Sequence, residues 1–266
     1  MKKLLLPIVL LLLSACSVVE NIDTENFRQE VGPVKTDSES IGRQGVESVD
    51  VTIKQAAGEL TIQTGTESLV DTNFVYNIDE WKPEVNYTVT NVTDGALSIE
   101  QPSFKLTGIP DDSIKNEWYL TFNNVVPLAM DITAGAGKSD LDLSQLNLIQ
   151  LKLTAGAGSA DVKLPAKNLS RVDLRSGVGL LTVDFRGEWL ADSDITFEGG
   201  LGKTVLILPA NIGIRARAKS GIGSINTVGN WTEDDGVYTN ELYNETPNTL
   251  RLDVSGGVGQ IELRLE

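Results

Sequence analysis

The chain has 266 residues, with 22 lysines and arginines against 37 acids, a net charge of −15, no histidine and one cysteine. Without histidine there is no Ser-His-Asp triad, no histidine metal ligand and no histidine pH switch. The acidic balance argues against nucleic acid, whose phosphates call for a Lys/Arg patch. A hydrophobic share of 41% and a charged share of 22% suit a globular chain rather than a disordered one.

Residues 1–15 read as a lipoprotein signal peptide. Lys2 and Lys3 precede an apolar stretch, Leu4 to Leu13, that is short for a transmembrane helix. Leu13-Ser14-Ala15-Cys16 follows and looks like a bacterial lipobox, with Cys16 as the lipidated residue. Cleavage before Cys16 and lipidation of its sulfur leave a chain with no free thiol, which excludes cysteine nucleophiles and disulfides. Acyl chains on Cys16, palmitate among them, would supply the membrane attachment at about 0.8 kcal/mol per buried CH₂. The expected location is extracytoplasmic, on the outer face of the cytoplasmic membrane or on the outer membrane. Residues 16–47 are polar, without a sustained period of 2 or 3.6. They read as a flexible tether with a reach of roughly 30 Å.

Beyond residue 47 a degenerate glycine unit, Ala56-Ala57-Gly58, comes first. Residues 48–128 then alternate in short strands around 85–89, 96–99 and 118–122, an expected β-rich N-terminal region. From 129 to 266 the chain repeats. Six Gly-x-Gly units are centred on Ala136, Ala157, Val178, Leu201, Ile222 and Val258, spaced 21, 21, 23, 21 and 36 residues apart. An alternating strand flanks each unit on both sides, and the apolar parity flips at the unit. Leu151, Leu153, Ala155 and Ala157 share a face before the flip, and Ala160, Val162 and Leu164 share one after it. The same reading puts Val178 with Val172 and Leu174, and Val258 with Leu250, Leu252 and Val254.

A one-residue shift in a period of two marks a bulge or corner. The second glycines, Gly137, Gly158, Gly179, Gly202, Gly223 and Gly259, are the candidate corner residues because glycine accepts positive φ. Aligned on their centres, the repeats stack Ile132, Leu153, Leu174, Phe197, Ala218 and Val254 in one column. Leu141, Val162, Val183, Leu206, Thr227 and Leu263 form another. An outward column, Asp131, Lys152, Asp173, Thr196, Arg217 and Asp253, tends to alternate in charge. The expected fold is all-β: a single-stranded, β-helix-like solenoid of about 21-residue rungs with a β-rich N-terminal cap.

The segments SVDVTIKQAAGELTIQTG (48–65), FVYNIDEWKPEVNY (74–87) and ALSIEQ (96–101) resemble the N-terminal part of toast-rack proteins. The stretch from Asn116 to Pro165, with its paired GAG units, resembles the toast-rack repeat. That repeat is similar to the extracytoplasmic parts of LiaF-like and PspC-like envelope-stress proteins. The resemblance implies a β-helix-like domain and carries no catalytic residue with it. A lipid anchor in place of transmembrane helices departs from those stress proteins.

Several motifs imitate chemistry. Gly137-Lys138-Ser139 and Gly202-Lys203-Thr204 look like the end of a P-loop, but the earlier glycine is Ile132 or Phe197 and no helix follows, so no nucleotide is expected. Asp140 and Asp161 should stack in adjacent rungs about 5 Å apart, near the spacing of a retaining glycosidase pair. A solvated outward column explains them without catalysis or a metal. Asp234-Asp235 reads as a turn. Trp81 and Trp118 read as cap packing. On the long loop 228–248, Trp231, Tyr238 and Tyr243 are the candidate partner surface, with packing the competing account for Trp231 and Tyr238.

The expected function is a non-enzymatic, lipid-anchored cell-envelope interaction module with a protein partner, in envelope-stress sensing or assembly. No cofactor, metal, nucleotide or nucleic acid is expected. The alternatives are a surface adhesin or glycan-binding lipoprotein and a carbohydrate-active β-helix enzyme.

Overall fold

The computed structural model describes residues 29–103, 108, 111–165 and 167–266. The expected signal peptide and Cys16 lie outside them. The described chain is all β, one mixed sheet of seventeen strands.

Six strands come before the repeats: β1 (Lys35–Ile41), β2 (Ser48–Thr64), β3 (Val70–Tyr76), β4 (Glu84–Thr90), β5 (Asp94–Glu100) and β6 (Asn116–Phe122). One edge of β2 takes β5 along its first half and β6 along its second, both parallel. Its other edge takes β7 (Leu128–Asp142), also parallel. β2 is therefore the first tier of the stack, and the strands before and after it close that end. Trp118 is fully buried there, edge-on to Phe74 at 5.4 Å, and Trp81 is buried too.

The expected tether ends earlier than residue 47. Lys35–Ile41 is a strand, antiparallel to β3 throughout. Its side chains are too polar and exposed to announce a strand by alternation. Cross-strand polar contacts hold it instead. Tyr76 donates its hydroxyl to Asp37 at 2.6 Å, Ser40 donates to Asp71 at 2.6 Å, and Lys35 pairs with Asp79 at 2.7 Å.

From β7 the chain climbs in parallel through β8 (Leu148–Lys163) and β9 (Arg171–Asp184). The next tier is split into β10 (Ser193–Glu198) and β11 (Leu201–Leu208), paired to the two arms of β9. The apolar columns stack in the expected register: Ile53, Ile132, Leu153, Leu174 and Phe197 are successive partners, each almost wholly buried. Each such side chain is worth about 2 kcal/mol.

The corner glycines have two reasons to be glycine. All six lie at φ between 130° and 156°, a region L side chains rarely enter. At Gly158 a Cβ would also sit 1.9 Å from the Gly137 carbonyl oxygen of the tier below. Tier backbones thus approach each other too closely at the corner for any side chain.

Beyond β11 the order in space departs from the order in sequence. β12 (Gly213–Lys219) and β13 (Ile222–Val228) do not pair with β10 and β11. The C-terminal strands β16 (Thr249–Ser255) and β17 (Val258–Leu265) lie between them. β16 is parallel to both β10 and β12, and β17 to both β11 and β13. The last repeat in sequence is therefore the last but one in the stack. The outward charge column consequently runs Thr196, Asp253, Arg217 at its end. Of the ion pairs that column predicts, Lys152–Asp131 forms at 2.7 Å, whereas Asp173 is taken by Arg171 in its own strand at 2.8 Å.

Candidate functional site

The segment after β13 is built to cover the end of the stack. It forms a small hairpin, β14 (Thr232–Asp234) and β15 (Val237–Thr239), and β15 lies antiparallel along the free edge of β12. The turn is Asp235-Gly236, both at left-handed φ, 47° and 73°, as a two-residue hairpin turn requires. Asn240 fixes the return. Its side chain, buried, accepts from the Ile214 amide at 2.8 Å and donates to the Ile212 carbonyl at 2.7 Å. Thr246 accepts from the Gly213 amide at 2.7 Å. These two polar anchors escaped the sequence reading, although Asp235-Gly236 between alternating residues was a hairpin signal in plain view.

The structure separates the three aromatic candidates. Trp231 and Tyr238 are half-buried against the core, and Trp231 donates its indole N–H to the Val228 carbonyl at 3.1 Å. Tyr238 sits opposite Ala216, a small residue that leaves room for the ring. Tyr243 instead lines a groove of about 700 Å³ beside the hairpin.

The floor of that groove is the outward face of β12. Arg215, Arg217 and Lys219 alternate with buried Ala216 and Ala218, so the three cations point the same way. Among the described residues none of the three forms an ion pair or hydrogen bond through its side chain. Their neighbour Arg251, on β16, is fully engaged by Asp192 and Asp194 at 2.7 Å each, and those bonds push its pKa up. Across the groove stand Thr232, Asp234 and Asp235. The result is an open cleft with uncommitted charges of both signs and one phenol. It can recognise a partner by complementary charge and hydrogen bonding.

The corner creases offer no comparable space. Those beneath the glycines, lined by small residues such as Ala134, Ala155 and Ser176, hold about 20 Å³ each, room for one water. Asp140 and Asp161 are register partners, as expected. Among the described residues no group of three or more acids or cysteines could hold a metal. No helix among them is long and apolar enough to cross a membrane.

One surface feature contradicts the expected parity. Val178 and Val258, expected on the inner face, are 53% and 44% exposed. The backbone turns at the glycines, and the central residue of each unit points out from the corner. Leu201 and Ile222 do the same, so the last four tiers carry an apolar ridge.

A stacked all-β architecture with glycine corners defines the class. The family follows from the sequence: residues 30–168 and 149–207 match the model of the N-terminal domain of toast_rack, DUF2154, and the chain belongs to that family. No curated protein matches it significantly. Among solved structures, a Clostridium sporogenes protein provisionally assigned to cell adhesion is 27% identical, with a TM-score of 0.65. That match covers 88% of this chain and all of the other. A provisionally assigned adhesin from Bacteroides fragilis matches at 11% identity and a TM-score of 0.29, over 89% of this chain and 99% of its own. A provisionally assigned lipid-binding protein from Parabacteroides distasonis matches at 12% and 0.33, over 89% and 98%.

Proposed function

We propose that this chain is a non-enzymatic interaction module of the bacterial cell envelope, held outside the cytoplasm by lipid on Cys16. The stack reads as a β-solenoid whose tiers recur about every 21 residues, a stiff support for a binding surface. The observation that carries the reading is the β12 groove. Three cations have no ion-pair partner there among the described residues, which elsewhere commit most of their cations to ion pairs. Uncompensated charges in a cleft favour a partner that completes them and steer its approach. A protein partner in envelope-stress sensing or assembly fits this groove and the family resemblance.

The test is crosslinking of the lipidated protein in intact cells, with captured partners identified by mass spectrometry. Arg217→Glu with Lys219→Glu should abolish the principal capture while leaving the thermal transition in place. Cys16→Ser should release the protein from the membrane fraction. Capture that is indifferent to the groove substitutions would sink the reading.

A second reading, surface adhesion, is favoured by the name given to the Clostridium sporogenes relative. The packing of Trp231 and Tyr238 weakens a glycan platform built on those rings and leaves Tyr243 as its aromatic. Glycan-array binding lost on Tyr243→Ala would move the assignment to adhesion.

A further inference from the structure

The hairpin covers only half of the stack's end. β15 pairs with β12, but β13 pairs with β17 alone, and its other edge has no strand beside it among the described residues. Open edges are usually guarded by charge, proline, a bulge or shortness. β1, which pairs with β3 alone among the described residues, carries Lys35, Asp37 and Glu39. β4 carries Glu84 and exposes no large apolar side chain. β14 is three residues long. β13 has none of these guards. Its seven residues, IGSINTV, include no charge and no proline, its register with β17 is unbroken, and Ile222 and Val228 are 76% and 47% exposed. The apolar ridge of Val178, Leu201 and Val258 ends on Ile222.

We infer that β13 is a self-association edge, pairing antiparallel with β13 of a second copy of this chain about a twofold axis at Ile225. The strand is complementary to itself in that register. Ile222 falls opposite Val228 of the other copy, Gly223 opposite Thr227, Ser224 opposite Asn226, and Ile225 opposite its counterpart. Apolar meets apolar, hydroxyl meets amide, and a β-branched side chain covers the glycine. The faces also agree. Ile225 and Thr227 share register with buried Ile261 and Leu263, so the inner faces of the two copies become continuous. The same operation on β1, centred on Ser38, would set Asp37 against Glu39. A second copy is therefore the occupant that β13 suits and β1 excludes. The contact is uncharged, whereas the whole chain carries −15. Salt should therefore strengthen the association by screening the repulsion between copies.

The experiment is sedimentation of the Cys16→Ser chain over a range of concentrations. The expected result is a particle of twice the chain mass, favoured by raising salt to about 0.5 M. Ser224→Lys with Asn226→Lys should give monomer, because like charges then face each other across the axis. Ser224→Glu with Asn226→Lys should restore the dimer, because unlike charges face. Ile225→Cys in the Cys16→Ser background should form an intermolecular disulfide, and Val228→Cys should not. A wild-type chain that stays monomeric at every concentration and salt overturns the inference. A dimer indifferent to both charge designs, or one crosslinking equally at 225 and 228, overturns it too.

Discussion

At Gly158 a φ of 132° and a Cβ site 1.9 Å from the Gly137 carbonyl oxygen impose glycine by two separate routes. The nearest obstacle is backbone, which cannot swing aside as a side chain can. Gly158→Val should therefore cost more than ~2 kcal/mol, the range of strained-backbone and overpacking substitutions. Gly42 is the internal control. It has no positive φ, and nothing lies within 4 Å of its Cβ site. Gly42→Ala should change stability by less than about 0.5 kcal/mol. Urea unfolding of both variants checks the pair, and a neutral Gly158→Val would refute the corner geometry. The corner glycines were legible because the parity flip and the spacing coincide on them. The outward aim of Val178 and Val258 was not. Alternation extends a face by counting two, and the count fails at the residue where the chain bends.

At the scale of the element, β1 shows how polar contacts can add a strand that apolar alternation does not predict. Its seam to β3 rests on carboxylates. Asp37 is held below the ordinary carboxylate range by the Tyr76 hydroxyl and then Lys82, and Asp71 by Ser40 and then Thr66. A depressed folded pKa means the ionised form stabilises the fold. That contribution is complete above the unfolded value, near pH 4, and is lost as pH falls below it. Tyr76 works in the opposite sense. Burial, and then its bond to Asp37, push its pKa up to about 12. Its contribution is complete below about pH 10 and is lost as pH rises from there toward 12. The chain has no histidine, so stability should be level from about pH 5.5 to 9. Hydrogen exchange, corrected for the intrinsic rate, should show residues 35–41 losing protection at pH 3 while β8 keeps it. Equal protection of both would refute the polar latch. The insert at 228–248 was legible as a loop bearing aromatics, but not as a groove. The groove arises because Asn240 and Thr246 return the chain to β12, and long-range anchors of this kind leave no period in the sequence.

The whole molecule depends on where its last repeat goes. Both 213–228 and 249–265 obey the same glycine grammar, so spacing alone cannot order them in space. Side-chain size offers a reason for the order observed. The tier of β12 and β13 brings Ala216, Ala218 and Thr227 to the core columns, while β16 and β17 bring Leu252, Val254 and Leu263. Large apolar residues gain most where tiers cover them on both sides, and small or polar ones cost least at an exposed end. Arg251 adds its two bonds to Asp192 and Asp194, which hold β16 against the tier of β10. The columns carried this hint in the sequence, since Ala218 and Thr227 are the weak members of two otherwise large apolar series. The order has a consequence for folding, because β12 and β13 cannot dock until the C-terminus has arrived. Deleting residues 249–266 should therefore do more than trim one tier. It removes the strands that join β12 and β13 to the rest, and with them buried Leu250, Leu252, Val254, Ile261 and Leu263. At about 2 kcal/mol per side chain and roughly 2–4 °C per kcal/mol for a domain of this size, Tm should fall by roughly 20 °C or more. Limited proteolysis of the truncated chain should cut within 213–239 while 128–184 stays protected. A stack in simple sequence order would keep 213–228 protected after the same deletion, and that result would refute the inserted C-terminus.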